Sequence, residues 1–288
     1  MSRPATSFAV RFDPANPGHV LACCGLLELA HRLWGGVEGW FEDSCFAVAV
    51  ADGPDDHLSA LVRKLAHCQI AGLTEEEAQE RKELDAIARK QGRRKQVRQL
   101  TPEEERRRDE LGKKARAGSV VVGHPFNLSL DWWNDAGTPK TWAGQQEMAR
   151  IARSAQRALH ALGDSAELLE YGAVAPAPFY FDARRFVHAL DTGFSVDAQG
   201  MATVAHPGVE LLALIGLQRF RPIHVTEERW TFAYWTWRVP LGVATAAACF
   251  AGFVDVPCRT RYRFSLRFRD DQKRYKAFGF ARPYGGET

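Results

Sequence analysis

Apolar and polar residues alternate along 7–13, with Phe8, Val10 and Phe12 on one side, which is the period of a half-buried strand. Asn16-Pro17-Gly18 breaks that pattern, and along 20–34 the spacing becomes that of a helix with Leu26, Leu27, Leu29, Ala30 and Leu33 on its apolar side. Residues 45–51 read as a second strand, Gly53-Pro54-Asp55-Asp56 as a turn and helix cap, and 57–68 as a second helix. Apolar positions then become sparse. Along 74–117 Glu, Lys, Arg and Gln dominate, and Thr101-Pro102-Glu103-Glu104 opens a fresh helix, because proline suits the first helical turn and threonine caps it. The expectation is one domain over 1–288 with a charged helical hairpin inserted at 74–117.

The core pattern resumes at 120–122 and 126–132, a strand candidate, and a helix is predicted over 143–162. Phe179 to Phe181 and the stretch near Phe186 are short and ambiguous. A fully apolar helix is expected at 208–217, a β-prone run at 230–238 and an alanine-rich buried helix at 241–253. The end reads as two strands, 259–269 and 274–281, around Asp270-Asp271-Gln272-Lys273. Strands and helices mix without a regular βαβ repeat, so the expected fold class is α+β, a mixed or antiparallel sheet packed with helices.

Composition adds bounds. The chain is 45% hydrophobic and 25% charged, with a net charge of +3 and a pI near 8.5, short of the balance of a strongly basic nucleic-acid binder. Any basic surface must be local. The six cysteines form no Cys-x-x-Cys pair and read as buried thiols of a reducing compartment. Neither a signal-peptide core nor a run long enough to cross a membrane is visible, so the expectation is a cytoplasmic protein without a membrane partner. The sequence holds no phosphate-binding glycine loop, nucleophile elbow, His-Glu-x-x-His or aspartate-rich metal cluster, and no cofactor is expected. The expected function is therefore binding rather than catalysis. A metal-independent ribonuclease stays open, since it needs only a His or Tyr and a Lys.

Three basic groups stand out. Arg259, Arg261, Arg263, Arg267 and Arg269 alternate with Tyr262, Phe264, Leu266 and Phe268, which puts five guanidiniums on one face of a strand and an apolar set on the other. A phosphate backbone laid across them would relieve their repulsion; a solvated, aggregation-resistant edge strand fits the same pattern. Arg89, Lys90, Arg93, Arg94, Lys95 and Arg98 form an acid-free cluster in the inserted segment, either a solvated arm or a phosphate clamp. Finally, Lys140, Trp142, Gln145 and Gln146 surround an expected helix start capped by Thr141, supplying a charge, a stacking plane and amides able to meet a base edge. A cap with a packed tryptophan fits equally.

Certain longer words of this sequence carry a resemblance. They are Asp13-Pro14-Ala15-Asn16-Pro17-Gly18 with Ala22-Cys23-Cys24-Gly25-Leu26-Leu27-Glu28-Leu29-Ala30, Asp131-Trp132-Trp133, and the segment from Lys140 to Gln146. Others are Pro178-Phe179-Tyr180-Phe181-Asp182-Ala183-Arg184-Arg185, Leu190-Asp191-Thr192-Gly193-Phe194-Ser195, and the stretch from Glu210 to Pro222. As a set they resemble the compact large-subunit proteins of type I-G (formerly I-U) CRISPR surveillance complexes. The resemblance implies a non-catalytic subunit that binds target double-stranded DNA near the protospacer-adjacent motif (PAM), helps open it and recruits a helicase-nuclease. Its partners would be crRNA and the other complex subunits. Arg184, Arg185, Arg219 and Arg221, within those words, join the nucleic-acid-binding candidates. A ferredoxin-like subunit gripping the crRNA backbone or handle is the alternative.

Overall fold

The computed structural model describes residues 3–91, 99–142, 146–174, 178–185, 204–269 and 275–285. Its elements are α+β, with seven α-helices among these residues and every described strand pair antiparallel.

The alternating start forms β1 (Phe8–Arg11), with Phe8 and Val10 buried and Ala9 and Arg11 exposed. Asn16-Pro17-Gly18 does not interrupt the chain before a helix; it starts the helix α1 (Pro17–Trp34). Asn16 is the cap and its side-chain oxygen accepts from the Gly18 N–H, while proline occupies the first turn, where no N–H is needed. Next come β2 (Glu38–Glu42) and β3 (Cys45–Ala49), giving the order β1-β3-β2. The sequence pattern did not indicate β2, because Gly39, Trp40 and Phe41 are all buried and no alternation survives. α2 (His57–His67) follows, capped by Asp56. The run β1-α1-β2-β3-α2 thus has the order of a ferredoxin-like unit, but β4 (Ile70–Ala71) leaves this sheet to pair with β5 (Val120–Val122), which pairs with β6 (Leu128–Leu130).

Between β4 and β5 stand α3 (Glu75–Gln91) and α4 (Pro102–Ala117), the charged hairpin. Thr101 and Glu104 close a capping box at the start of α4. Leu84, Leu100 and Leu111 form a small core separate from the main one. Ion pairs Arg107–Glu80 (3.0 Å) and Lys114–Glu77 (2.6 Å) tie the two helices together.

Then follow α5 (Met148–Leu159), the ribbon β7 (Ala173–Val174) and β8 (Val204–Ala205), and α6 (Pro207–Arg219). α1 and α6 are apolar nearly all round and cross at the centre of the molecule, as such helices must. Glycines let their backbones touch: a Cβ on Gly25 would stand 2.1 Å from the Leu212 carbonyl oxygen, and one on Gly216 2.2 Å from that of Leu21.

The last sheet runs β13-β12-β10-β9, from β9 (Ile223–His224), β10 (Thr231–Thr236), β12 (Thr260–Phe268) and β13 (Lys276–Phe278), with β14 (Arg282–Pro283) also on β12. β11 (Leu241–Gly242) pairs with β2 and leads into α7 (Val243–Phe250). The alanine-rich helix is shorter than 241–253 and buries only Val243, Ala246, Cys249 and Phe250, because it lies across one side of the sheet. Among the described residues no helix is long and apolar enough to cross a membrane. Cys23, Cys24, Cys68 and Cys249 are buried free thiols, Cys45 is half-buried, and Cys258 is exposed.

Candidate nucleic-acid interface

β12 carries Arg261, Arg263 and Arg267 of the expected alternation, and Arg259 and Arg269 lie just outside the strand. Phe264 and Leu266 are buried on its inner side, where Phe264 packs against Phe232 and Phe278. On the other side register decides the partners. Arg261 stands directly opposite Trp235 of β10, and Arg263 opposite Arg282 of β14. The Arg261 guanidinium lies 4.9 Å from the Trp235 ring centre and 4.8 Å from that of Tyr284, while Arg263 lies 4.5 Å from Tyr284 and Arg259 5.7 Å from Trp235. Arg269 covers Tyr180 at 3.3 Å. Cations and rings therefore interleave along the strand, each contact contributing about 0.5–1 kcal/mol at such exposure.

The five charges are not all unanswered. Glu228 pairs with Arg263 and Asp255 with Arg259, both at 2.8 Å. Arg261 and Arg267, and Arg282 beside them, have no carboxylate partner among the described residues. Three exposed rings belong to the same region. Tyr284 is 42% exposed and Phe280 54%, and Phe253 is 82% exposed on a turn whose Gly252 packs against the face of Trp235. The tightness there is such that a Cβ at Gly252 would lie 2.7 Å from the indole. Trp235 and Tyr284 are not among the sites that the sequence indicates, since only the pairing of β10, β12 and the β14 segment shows that they flank the arginines.

The Lys140–Gln146 segment needs correction. The helix expected over 143–162 is described from Met148, with Glu147 as its cap residue, and 143–145 lie outside the described residues. Thr141 does not cap: its buried hydroxyl donates to the Phe179 carbonyl at 2.5 Å. Trp142 is 5% exposed and packs on Trp132, Trp133, Phe179 and Phe181, so it offers no free stacking plane. Lys140 places its Nζ 5.5 Å from the Trp142 ring, and burial lowers its pKa. Gln146 is half-buried, and Gln145 lies outside the described residues.

The arginines of the longer sequence words are likewise engaged inside the protein. Arg184 grips Asp182 through Nε and Nη2 and also reaches Glu170; Arg219 binds Glu28; Arg221 pairs with Asp135 at 2.9 Å. Arg185 donates to the Val204 carbonyl and lies over Tyr180. Burial pushes the Glu28 carboxyl up, but Arg219 and Arg32 outweigh it and hold the group below its usual range. Arg93, Arg94, Lys95 and Arg98 lie outside the described residues, as does 190–195, and of Arg89 and Lys90 only the helical backbone is described.

The described words instead converge on two internal joints. One is the aromatic cluster around Trp142. The other is Asp182, fully buried, whose carboxylate accepts from Asn16 Nδ2 (2.7 Å) and Arg184 and lies 2.8 Å from His206 Nδ1. It links the caps of α1 and α6. Glu210 accepts from the Phe181 and Asp182 N–H groups, and burial with the neighbouring Asp182 charge pushes its carboxyl up to about 7.

No family model matches this chain, and no curated protein does.

Proposed function

We propose that the protein is a non-catalytic nucleic-acid-binding subunit and that it grips a single strand on the arginine–aromatic face of β12. One observation carries this: Arg261, with no carboxylate partner among the described residues, stands in register with Trp235 and against Tyr284, and Arg267 and Arg282 on the same sheet likewise have none among those residues. Such a face holds a phosphate chain while bases stack beside it. The resemblance of the sequence supports a place for this subunit in a type I-G CRISPR surveillance complex. Its role there is that of the large subunit, binding target DNA near the PAM, assisting its opening and recruiting the helicase-nuclease. A second reading, a ferredoxin-like subunit gripping crRNA, is favoured by the order β1-α1-β2-β3-α2.

The test is binding of a labelled single strand across a salt series. Replacing Arg261 and Arg267 together by glutamine removes two phosphate contacts while leaving the buried face untouched. The slope of log affinity against log salt should flatten by roughly 1.4, from about 0.7 per contact. An unchanged slope in a folded variant refutes the proposal. Membership of the complex is tested by co-expression with a crRNA and the other subunits, where the chain must co-purify and target-duplex binding must depend on it.

A further inference from the structure

We infer that the exposed face of α5 is a second nucleic-acid surface, one that holds the backbone of a duplex; this rests on the proposal above that the protein binds nucleic acid. α5 buries Met148, Ile151, Ala152, Ala155, Gln156 and Leu159 on one side. Arg150, Arg153 and Arg157 are thereby left exposed on the other. The rotation of the helix is fixed, because Gln156 Nε2 donates to the carbonyls of Leu65 (2.8 Å) and Cys68 (2.6 Å). Helical rise separates neighbouring arginines of the stripe by about 4.5 and 6 Å along the axis. None of the three has an ion-pair partner among the described residues.

The positive face continues on either side. Between α3 and α5 lies a cleft of about 470 Å³ that Arg153 shares with Arg81 and Lys82. Its lining sets Arg81, Lys82 and Arg153 against Asp85 and Glu147, an excess of one positive charge, and Arg81 binds Glu147 at 2.6 Å and approaches Asp85 at 3.9 Å. Between α2 and α5 a depression of about 220 Å³ is lined by Arg63, His67 and His160, the two imidazoles 4.8 Å apart.

Ring content separates this surface from the sheet face. No Phe, Tyr or Trp lines either depression. Single-strand sites combine charge with stacking planes, whereas a duplex keeps its bases stacked inside and presents phosphate to a basic surface. A guanidinium stripe without rings fits the duplex. The sheet face fits the strand.

The experiment compares the full chain with its Arg150→Gln/Arg153→Gln/Arg157→Gln variant by fluorescence anisotropy, using a blunt DNA duplex and a single strand of equal length. All three side chains are solvent-exposed, and circular dichroism checks the fold; if the triple variant fails that check, Arg153→Gln alone serves. For the triple variant, duplex affinity should fall at least about tenfold and the salt slope flatten by roughly 2.7, from about 0.9 per phosphate contact. For Arg153→Gln alone the slope should flatten by about 0.9. Single-strand binding should not change. A folded variant with wild-type duplex affinity and slope overturns the inference, as does a wild-type protein that binds the single strand and not the duplex. Either result leaves the sheet-face proposal standing. That proposal fails separately if Arg261→Gln/Arg267→Gln leaves the single-strand salt slope unchanged.

Discussion

Replacing Asp182 by asparagine tests whether the joint between α1 and α6 is held by charge. The native carboxylate is fully buried and takes Asn16, the Arg184 guanidinium and backbone N–H, and His206 around its two oxygens. Burial alone would raise its pKa. Hydrogen bonds from His206 and Arg184, the Arg184 charge and Asn16 outweigh that and hold the carboxyl well below the usual carboxylate range. Asparagine keeps one acceptor and turns an amide toward Arg184 Nη2 or His206 Nδ1, so the half-buried Arg184 guanidinium loses one of its two counter-charges and keeps Glu170. Because Glu170 and solvent still answer Arg184, the cost falls below the about 3–5 kcal/mol of a fully buried broken pair, to about 2–3 kcal/mol for the lost charged hydrogen bonds. At about 2–4 °C per kcal/mol for a chain somewhat shorter than this one, the melting temperature should drop by roughly 7 °C. Urea denaturation followed by circular dichroism measures the free energy directly, and pH supplies a second axis. Because the folded-state pKa is depressed, the stabilisation is complete above the ordinary aspartate range near pH 4 and is lost as pH falls through the folded value. The gap between wild type and variant should be flat above about pH 5 and narrow in acid. A loss below about 1 kcal/mol, or a gap that widens in acid, would refute the charge account.

Glu210 should show the opposite pH trend. Its carboxyl titrates near 7 in the fold against a reference of 4.5, so the folded state holds the proton more tightly and stability falls as pH rises between those values. Relative to wild type, Glu210→Gln should gain up to about 3 kcal/mol between pH 5 and 8, whatever its fixed cost, and parallel pH curves for the two proteins would contradict this. At the α1–α6 crossing, Gly25→Ala forces a methyl against the Leu212 carbonyl. Overpacking of about 3 kcal/mol, less about 1 kcal/mol from alanine's helix propensity, leaves a net loss near 2 kcal/mol, and a variant that melts at or above wild type disproves the close approach.

Elements whose residues face one clear boundary between core and water were legible in the sequence. The charged hairpin announced itself by lost periodicity and by the Thr101 capping box, and β12 by strict alternation, because strand geometry alone sends odd and even side chains to opposite faces. α6 was legible through an apolar run that Glu210 alone interrupts between 208 and 217. Where both faces are buried the pattern disappears, and β2, with Gly39, Trp40 and Phe41 all inside, was missed. Segment 140–146 was misread for a different reason. Locally, threonine before polar residues favours a helix cap, but Thr141 spends its hydroxyl on Phe179 and Trp142 joins an aromatic cluster drawn from distant parts of the chain. Arg184, Arg219 and Arg221 show the same limit, since a sequence displays their charge but not the carboxylates, far along the chain or close by, that neutralise it. The sequence by its alternation puts Arg261, Arg263 and Arg267 on one side of a strand, with Arg259 and Arg269 flanking it. Only the tertiary register of β10, β12 and β14 determined which of them meet rings, which meet carboxylates and which remain open to a phosphate, because pairing across strands depends on contacts that local periodicity does not encode.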